Sequence, residues 1–352
     1  KLNYVGYSYG SWLGAWYASL FPERVGRMVL DSALDFDTTI EKSLLHSQPP
    51  ARQRLFDEVM VPYAVRHPDV FRLGATEAEV RAIMPRLHPR VQAVLAESLS
   101  GLGYRRVDAM AYLGHIAAAQ GLDTVLQSVP DAADASAVRH ALAQQVFHPT
   151  NPSQDTQVRA VAGRLYEKYR SNWLVPQPQN IEANGAGGIA IRCNDTPAIT
   201  DLVQWTTTVR GLAQQAPMYF GGLMVLNACA FWGGPSVSKP SPAAMRQLPV
   251  LFVQTQYDAA TNTDGANAFF AQLRQLGLPL AESGAQLPGA RRVYVTRDFQ
   301  HGVFPYDDSC VDPQVTAYLL GETPAQRETV CPGKPLEGEG DATAQKAQPA
   351  DG

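Results

Sequence analysis

The chain has 352 residues, of which 45% are hydrophobic and 18% are charged, and its formal net charge is −4. This length and apolar content can bury a substantial core, as one large domain or as a domain with an insertion. The slightly acidic balance gives no basic field for nucleic acid, and no apolar run approaches the roughly 18–20 residues of a membrane span. We therefore expect neither a nucleic-acid partner nor a membrane span; the sequence leaves the oligomeric state open.

The first motif in the chain is a Gly-Tyr-Ser-Tyr-Gly turn centred on Ser8. A short β-type run precedes it, and a helix-like stretch from Tyr9 to about Leu20 follows. Strand, tight turn and helix in this order are typical of the G-x-S-x-G elbow that presents a nucleophilic serine on the sheet of an α/β-hydrolase. Side chains at Gly6 and Gly10 are expected to collide with the neighbouring strand and helix. The sequence thus predicts that Ser8 is a nucleophile; the alternative is a glycine-rich turn with an incidental serine.

The elbow lies unusually early in the chain, with only seven residues before Ser8. Several strands normally precede the elbow of an α/β-hydrolase, and a loop after an early strand supplies part of the oxyanion hole. The expected fold class is therefore α/β: an N-terminally truncated α/β-hydrolase fold with a mostly parallel sheet and an inserted helical lid. An inactive truncated fragment that binds without turnover is an open alternative.

The rest of the chain predicts a sheet domain interrupted by helices. A buried strand is expected at 25–30, followed by helical spacing that includes a capping box at Thr76–Glu79. Strands are expected at 249–255 and 291–296, and Thr196 is expected to cap a helix that runs toward Leu212. The predicted divisions are a hydrolase core at 1–36, a lid at 37–187 that covers the serine, the C-terminal part of the core at 188–332, and a disordered tail at 333–352.

A nucleophilic serine needs a histidine base and a carboxylate that orients it, and in α/β-hydrolases both follow the serine in the chain, in loops after strands. Asp258 follows the strand at 249–255, and His301 follows the strand at 291–296, whereas the other six histidines fall in the predicted lid. The predicted triad is Ser8, Asp258 and His301. Asp31, at the end of an earlier strand, is the rival acid, and Asp298 is too close to His301 in sequence.

The backbone N–H of Tyr9, at the start of the elbow helix, is the expected oxyanion donor. No Cys-x-x-Cys motif is present, and no histidine lies close enough to a cysteine to indicate zinc. We expect neither a metal nor another cofactor.

The four cysteines form two local pairs, Cys193 with Cys229 and Cys310 with Cys331. Pairing by proximity predicts two disulfides, out of three possible connectivities, and with them an oxidising compartment. The alternative is four buried thiols in a cytosolic enzyme.

Several segments together resemble a known family, the secreted actinobacterial-type tripeptidyl aminopeptidases, which are α/β-hydrolases allied to prolyl aminopeptidases. They are the elbow, Val-Leu-Asp at 29–31, Ala-Ile-Arg-Cys-Asn-Asp at 190–195, Cys-Ala-Phe-Trp at 229–232, the run 254–261 and His-Gly-Val-Phe at 301–304. The resemblance covers 1 to about 332. It implies the triad Ser8, Asp258 and His301, a Cys193–Cys229 disulfide, a peptide substrate and a secreted or otherwise extracytoplasmic bacterial enzyme. Gln300, where the family has glycine, and Asn262, where proline is common, are departures.

The leading hypothesis is a serine exopeptidase that releases short peptides or amino acids from free N-termini through an acyl-enzyme. The alternative is an esterase or another small-acyl α/β-hydrolase. An exopeptidase of this kind needs acidic groups for the substrate α-ammonium, and the sequence does not rank the candidates, which are Asp57, Glu58, Asp123, Glu182 and Asp195.

Overall fold

A computed structural model of the chain describes residues 1–129, 134–174, 183–219, 229–234, 238–275, 289–306, 309–324 and 326–340. The strands are β1 (Leu2–Tyr7), β2 (Val25–Asp31), β3 (Val250–Thr255), β4 (Arg291–Thr296) and β5 (Glu328–Pro332). The α-helices are α1 (Tyr9–Leu20), α2 (Gln48–Leu55), α3 (Val61–Arg66), α4 (Pro68–Phe71), α5 (Glu77–Arg81), α6 (Ile83–Arg86), α7 (Pro89–Leu99), α8 (Ala109–Ser128), α9 (Ala135–Gln144), α10 (Pro152–Leu174), α11 (Ala183–Asp195), α12 (Leu202–Gln215), α13 (Thr263–Gln275) and α14 (Val311–Leu320). Short 3₁₀ turns at Pro22–Arg24, Arg106–Asp108 and Pro242–Gln247 and π-helical turns at Glu41–His46 and Phe56–Met60 connect them.

The five strands form one parallel sheet in chain order, β1-β2-β3-β4-β5. Tyr7 at the end of β1 lies opposite Asp31 at the end of β2, and Asp31 lies opposite Val253 of β3. Because all strands run in the same direction, the loops that follow them emerge at one edge of the sheet. In open parallel sheets this edge is where functional side chains collect.

The centre of the sheet is buried on both faces, as expected for parallel strands covered by helices. All six residues of β3 are buried. Successive side chains point to opposite faces, so Leu251 and Val253 pack in one cluster with Val315 of α14. Phe252 points the other way and contacts Phe269 of α13, with ring centroids 5.6 Å apart. The sheet is thereby fixed between α14 on one face and α13 on the other.

The chain divides into two compact units. The sheet unit comprises 1–37, 104–110 and 240–352, and the helical unit comprises 38–103 and 111–239. The helical unit therefore extends beyond the predicted boundary at 187. The run at 189–193, which reads as an apolar segment of the sheet domain, lies instead inside α11.

Within the helical unit, two sequence signals have different outcomes. The capping box that opens α5 is confirmed: Thr76 Oγ1 accepts the N–H of Glu79 at 3.3 Å, and Glu79 Oε2 accepts the N–H of Thr76 at 3.0 Å. The prediction that Thr196 caps a helix is wrong, because Asp201 caps α12 by accepting the N–H of Gln204 at 2.6 Å. The Thr196 hydroxyl instead accepts the N–H of Ile40 at 2.9 Å.

The end of the described chain contains a strand that the sequence did not predict. β5 pairs with β4, with Val295 opposite Cys331, and Cys331 is buried in the core. The predicted disordered tail begins too early, because the N–H of Gly333 donates to the Thr296 carbonyl at 2.8 Å and a turn follows at 336–339. The remainder of that prediction, at 341–352, lies outside the described residues. Among the helices of the described ranges, none has the length and apolar character needed to cross a membrane.

Candidate active site

Ser8 occupies the turn between β1 and α1 in a backbone conformation that L-residues rarely adopt, with φ 55° and ψ −122°. Such a conformation costs free energy and persists only where its surroundings impose it. Here the N–H of Ser8 donates to the carbonyl of Asp31 at 3.1 Å. The carbonyl of Ser8 accepts both the N–H of Ser11 at 2.9 Å and its hydroxyl at 2.6 Å. The serine is thus held by the next strand and by the first turn of the helix.

The two glycines of the elbow differ in how strictly they are needed. A Cβ on Gly6 would lie 2.4 Å from the carbonyl oxygen of Gly10 and 2.5 Å from Cε1 of Tyr4, which no side chain could tolerate. A Cβ on Gly10 would meet only the Tyr4 hydroxyl, at 3.4 Å. The predicted collision is therefore present at Gly6 and absent at Gly10.

Asp258 lies in the loop after β3 and is fully buried in a ring of donors. Its Oδ1 accepts the N–H groups of Ala260 at 2.9 Å and Thr261 at 3.0 Å, and its Oδ2 accepts the Thr261 hydroxyl at 2.9 Å. A carboxylate that accepts this many hydrogen bonds close to its own backbone has little freedom to turn. The loop fixes the orientation of the Asp258 side chain.

His301, in the loop after β4, contacts this carboxylate through Nδ1, which lies 3.0 Å from Asp258 Oδ2 and 3.2 Å from Oδ1. Burial alone would raise the pKa of Asp258, but the His301 ring and the hydrogen bonds from Thr261 and Ala260 outweigh it and lower the pKa below its ordinary value. The carboxylate is therefore ionised near neutral pH, and its partner Nδ1 carries the proton. This leaves Nε2 of His301 as the basic nitrogen.

Asp31, the rival acid, is buried and binds the main chain just after His301. Its carboxylate accepts the N–H of Val303 at 2.9 Å and that of Phe304 at 2.8 Å. The adjacent Ser32 hydroxyl accepts the N–H of Gly302 at 2.8 Å. Burial raises the pKa of Asp31 to about 7, although these hydrogen bonds and the nearby His301 ring oppose the shift. The structure therefore pairs the His301 ring with Asp258 and assigns Asp31 to the following backbone.

These contacts bring the His301 loop beside the elbow. Gly302 has φ +71°, and a Cβ there would lie 3.7 Å from Cδ1 of Tyr7, the residue before Ser8. The strand ends of β1, β2, β3 and β4 thus place Ser8, Asp31, Asp258 and His301 around one edge of the sheet. A strained serine, a histidine and a buried carboxylate at such an edge are the groups used in acyl transfer.

Two family models match the chain: residues 1–72 match the alpha/beta hydrolase fold, and residues 216–331 match the TAP-like protein family. Both matched segments include strands of the sheet described above, and each carries part of the site. The chain has the α/β-hydrolase fold.

The curated relatives that match most of this chain are peptidases. It is 28% identical to the serine protease Hip1 of Mycobacterium tuberculosis over 343 residues, which cover 92% of this chain and 56% of that protein. It is 26% identical to the tripeptidyl aminopeptidase of Streptomyces lividans over 342 residues, 94% of this chain and 55% of that protein. A carboxylesterase B of Mycobacterium tuberculosis is 31% identical over 140 residues, 38% of this chain and 24% of the relative. The chain thus resembles the TAP-like peptidases and spans a little over half the length of the two peptidase relatives.

The candidate site includes residues that the sequence did not single out. The N–H of His301 donates to the carbonyl of Tyr104 at 2.7 Å, and Arg106 pairs with the buried carboxylate of Asp298. Arg106 falls in the predicted lid, where an arginine on a solvated face is the ordinary expectation. The contact between Arg106 and Asp298 spans 192 residues, and no local pattern indicates it.

Three of the five candidates for binding a substrate ammonium group make contacts within the helical unit. Asp57 pairs with Arg81 at 3.3 Å, Glu58 pairs with Arg54 at 3.3 Å, and Asp123 accepts the N–H of His88 at 2.9 Å. Asp195 is the last residue of α11, and Glu182 lies outside the described residues. These contacts do not rank one candidate above the others. In the ranges that the structure describes, no group of three or more His, Cys, Asp or Glu side chains is arranged to hold a metal ion.

Both disulfides have the pairing expected from the sequence. Cys193 is bonded to Cys229 in the helical unit, and Cys310 is bonded to Cys331 in the sheet unit. Disulfides persist in oxidising environments and are rare in reducing ones. The two bonds therefore fit an extracellular protein.

Proposed function

We propose that this chain is the catalytic part of a serine exopeptidase, similar in activity to tripeptidyl aminopeptidases, in which Ser8, His301 and Asp258 form the triad. The observation that carries the proposal is the contact between the His301 ring and the ionised Asp258 carboxylate at the edge of the sheet where Ser8 is held in a strained turn. The peptidase relatives, which match more than nine-tenths of the chain, support the substrate class. We also propose that the protein acts outside the cytoplasm, as the disulfides favour.

The roles follow from the chemistry of acyl transfer. Nε2 of His301 takes the proton of the Ser8 hydroxyl while the serine oxygen attacks the carbonyl carbon of the peptide bond. Asp258 holds Nδ1–H and stabilises the imidazolium that forms. The N–H of Tyr9, at the first residue of α1, donates to the negative oxygen of the tetrahedral intermediate, where the helix dipole also favours negative charge. His301 then protonates the leaving amine, and water hydrolyses the acyl-enzyme by the same route.

The site is tested by labelling and turnover with the full protein. A fluorophosphonate probe should modify the wild type and not Ser8→Ala, because the reagent requires an activated serine. Ser19→Ala is the matched control, since the Ser19 hydroxyl only donates to the Ala15 carbonyl within α1, at 2.7 Å. Absence of label on a folded wild type would count against the nucleophile and in favour of a fragment that binds without turnover.

The substrate class is tested with three kinds of compound. Tripeptidyl and aminoacyl anilides with a free N-terminus should be cleaved, and the same peptides with a blocked N-terminus should not. Faster turnover of p-nitrophenyl esters, together with no cleavage of the anilides, would favour the esterase alternative, for which the carboxylesterase relative over 140 residues is the observation. Efficient cleavage of internal bonds in blocked peptides would contradict an exopeptidase.

A further inference from the structure

A short segment of the inserted region belongs to the sheet unit. Residues 104–110 are grouped with 1–37 and 240–352, whereas the chain on both sides of them, up to 103 and from 111, belongs to the helical unit. We call residues 104–106 the docking segment. Its first residue, Tyr104, accepts the N–H of His301 through its carbonyl at 2.7 Å, and the Tyr104 ring lies 6.2 Å from the His301 ring. The docking segment thus contacts the residue proposed as the base.

The last residue of the docking segment anchors it with an ion pair. The guanidinium of Arg106 pairs with the carboxylate of Asp298, whose side chain is completely buried, while that of Arg106 is 16% exposed. Asp298 also accepts the N–H of Gln300 at 2.8 Å through its carboxylate and the N–H of Tyr257 at 2.9 Å through its carbonyl. Asp298 therefore connects Arg106 to the backbone of the residue before Asp258 and to that of the residue before His301.

Gln300 completes the connection between the docking segment and the histidine. Its Oε1 accepts the N–H of Arg106 at 3.3 Å, and its Nε2 donates to the carbonyls of His301 and Gly302, both at 3.3 Å. The main-chain carbonyl of Gln300 accepts the Thr255 hydroxyl at 3.1 Å. The three side-chain contacts of Gln300 need its amide, so a glycine at this position could not make them.

We propose that Arg106 is a positioning residue for His301: through Asp298 and Gln300 it holds the docking segment against the His301 loop and keeps the imidazole aimed at Asp258. The inference rests on the proposed function of His301 as the base. A buried charge pair is a poor source of net stability but a strict geometric constraint, because removing one partner leaves the other charge buried and unpaired. Displacement of a catalytic group by about 1 Å is enough to lower a rate by about 10²-fold.

The test compares two adjacent arginines. Arg106→Ala should lower kcat by about 10–100-fold with little change in KM, because the imidazole is misplaced while substrate contacts remain. Arg106→Lys should recover part of the rate, since it restores the charge without the planar fork. Arg105→Ala is the matched control: the Arg105 side chain is 64% exposed and pairs only with Asp108 of the same turn, so its kcat should stay within about twofold of the wild type.

A double variant separates positioning from loss of folding. Arg106→Ala leaves the buried Asp298 carboxylate unpaired and can unfold the sheet unit. Arg106→Ala combined with Asp298→Asn removes both charges, and we expect it to fold, as measured by circular dichroism and thermal unfolding, and still to have a lowered kcat and a shifted pH profile. The inference is overturned if the folded variants keep the kcat and pH profile of the wild type.

A readout without turnover distinguishes this inference from the proposed function. In protein with ¹⁵N-labelled histidine, the Nδ1 proton of His301, assigned with His301→Gln, should give a downfield resonance because it is shared with Asp258. That resonance should broaden or move in Arg106→Ala and stay in place in Arg105→Ala. A wild type that shows the resonance and cleaves no substrate would contradict the proposed function, whereas a resonance that is identical in Arg106→Ala would contradict the positioning role.

Discussion

The carbonyl oxygen of Asp31 accepts the N–H of Ser8 at 3.1 Å, and this joins the serine turn to the end of β2. The carboxylate of the same residue accepts the N–H groups of Val303 and Phe304, in the loop of His301. One residue therefore fixes both the serine turn and the histidine loop, through its main chain and its side chain respectively. The separation between Ser8 and His301 therefore depends on Asp31.

The buried carboxyl of Asp31 should make stability depend on pH. Its pKa is raised to about 7 in the folded protein, against about 3.9 in the unfolded chain. The folded state thus binds the proton more tightly than the unfolded chain does. Protonation of Asp31 therefore stabilises the fold in full below about pH 4, and this stabilisation is lost as the pH rises to about 7. Asp31→Asn removes this dependence, because an amide resembles the protonated carboxyl.

The measurement is the free energy of unfolding in urea from pH 5 to 8. As the pH rises to 7, the free energy of unfolding of Asp31→Asn should increase relative to that of the wild type, by at most about 1.4 kcal/mol per pH unit. Above pH 7 the difference should level off. Asp37→Asn, at an exposed position of the same unit, is the control for replacing an aspartate as such. A difference that is constant with pH would mean that Asp31 is ionised throughout.

Replacing Asp258, the acid of the proposed triad, should abolish most turnover without unfolding the protein. Asp258→Asn keeps the side-chain shape but removes the charge that fixes the Nδ1–H tautomer of His301, so we expect kcat to fall by about 10³–10⁴-fold. The control is Asp264→Asn, an exposed position in the first turn of α13, which should retain activity. Wild-type kcat in a folded Asp258→Asn variant would contradict the proposed role of Asp258.

The two glycines of the elbow should respond differently to alanine. Gly6→Ala places a Cβ 2.4 Å from a backbone oxygen, so the turn must shift and the melting temperature should fall by several degrees. Gly10→Ala meets only a hydroxyl at 3.4 Å and lies in a helix, where alanine is favoured over glycine by about 1 kcal/mol. Its melting temperature should be unchanged or slightly higher. Equal losses in the two variants would contradict the asymmetry.

Removing the Cys310–Cys331 bond should destabilise the sheet unit. The bond closes a loop of 21 residues and connects the start of α14 to β5. For a loop of this length, the lost chain entropy of the unfolded state corresponds to a stabilisation of about 3 kcal/mol. Cys310→Ala combined with Cys331→Ala should lower the urea midpoint under oxidising conditions. Midpoints that agree between the variant and the oxidised wild type would show that β5 holds its place by pairing and burial alone.

Much of the sheet unit could be predicted because its signals are local. The strands at β2, β3 and β4 and the helix after Ser8 follow from short apolar runs and turn residues, and the loop positions of Asp258 and His301 follow from those strands. β5 was not predicted because Glu-Thr-Val-Cys-Pro is short, polar at one end and closed by a proline, so it lacks a strand pattern. It is a strand because β4 offers it a partner edge and Cys331 enters the core.

Other features depend on contacts that no local pattern records. Three glycines within 185–188 disfavour a helix on propensity, yet α11 spans them. The Ile-Ala-Ile run that follows is compatible with either a strand or a buried helix, because short apolar runs have no distinctive period. The contacts of Arg106 with Asp298 and of Tyr104 with His301 join positions about 190 residues apart, and they are decided by the folded backbone.

The docking segment has a consequence for engineering this protein. A cassette exchange that replaces everything between 38 and 239 with a cap from another hydrolase would also discard Tyr104 and Arg106, and with them the acceptor of the His301 N–H. Chimaeras should instead use two junctions, one on each side of 104–110, and graft foreign sequence only outside them. Chimaeras made in this way exchange the rest of the helical unit and keep the Tyr104 carbonyl that accepts the His301 N–H.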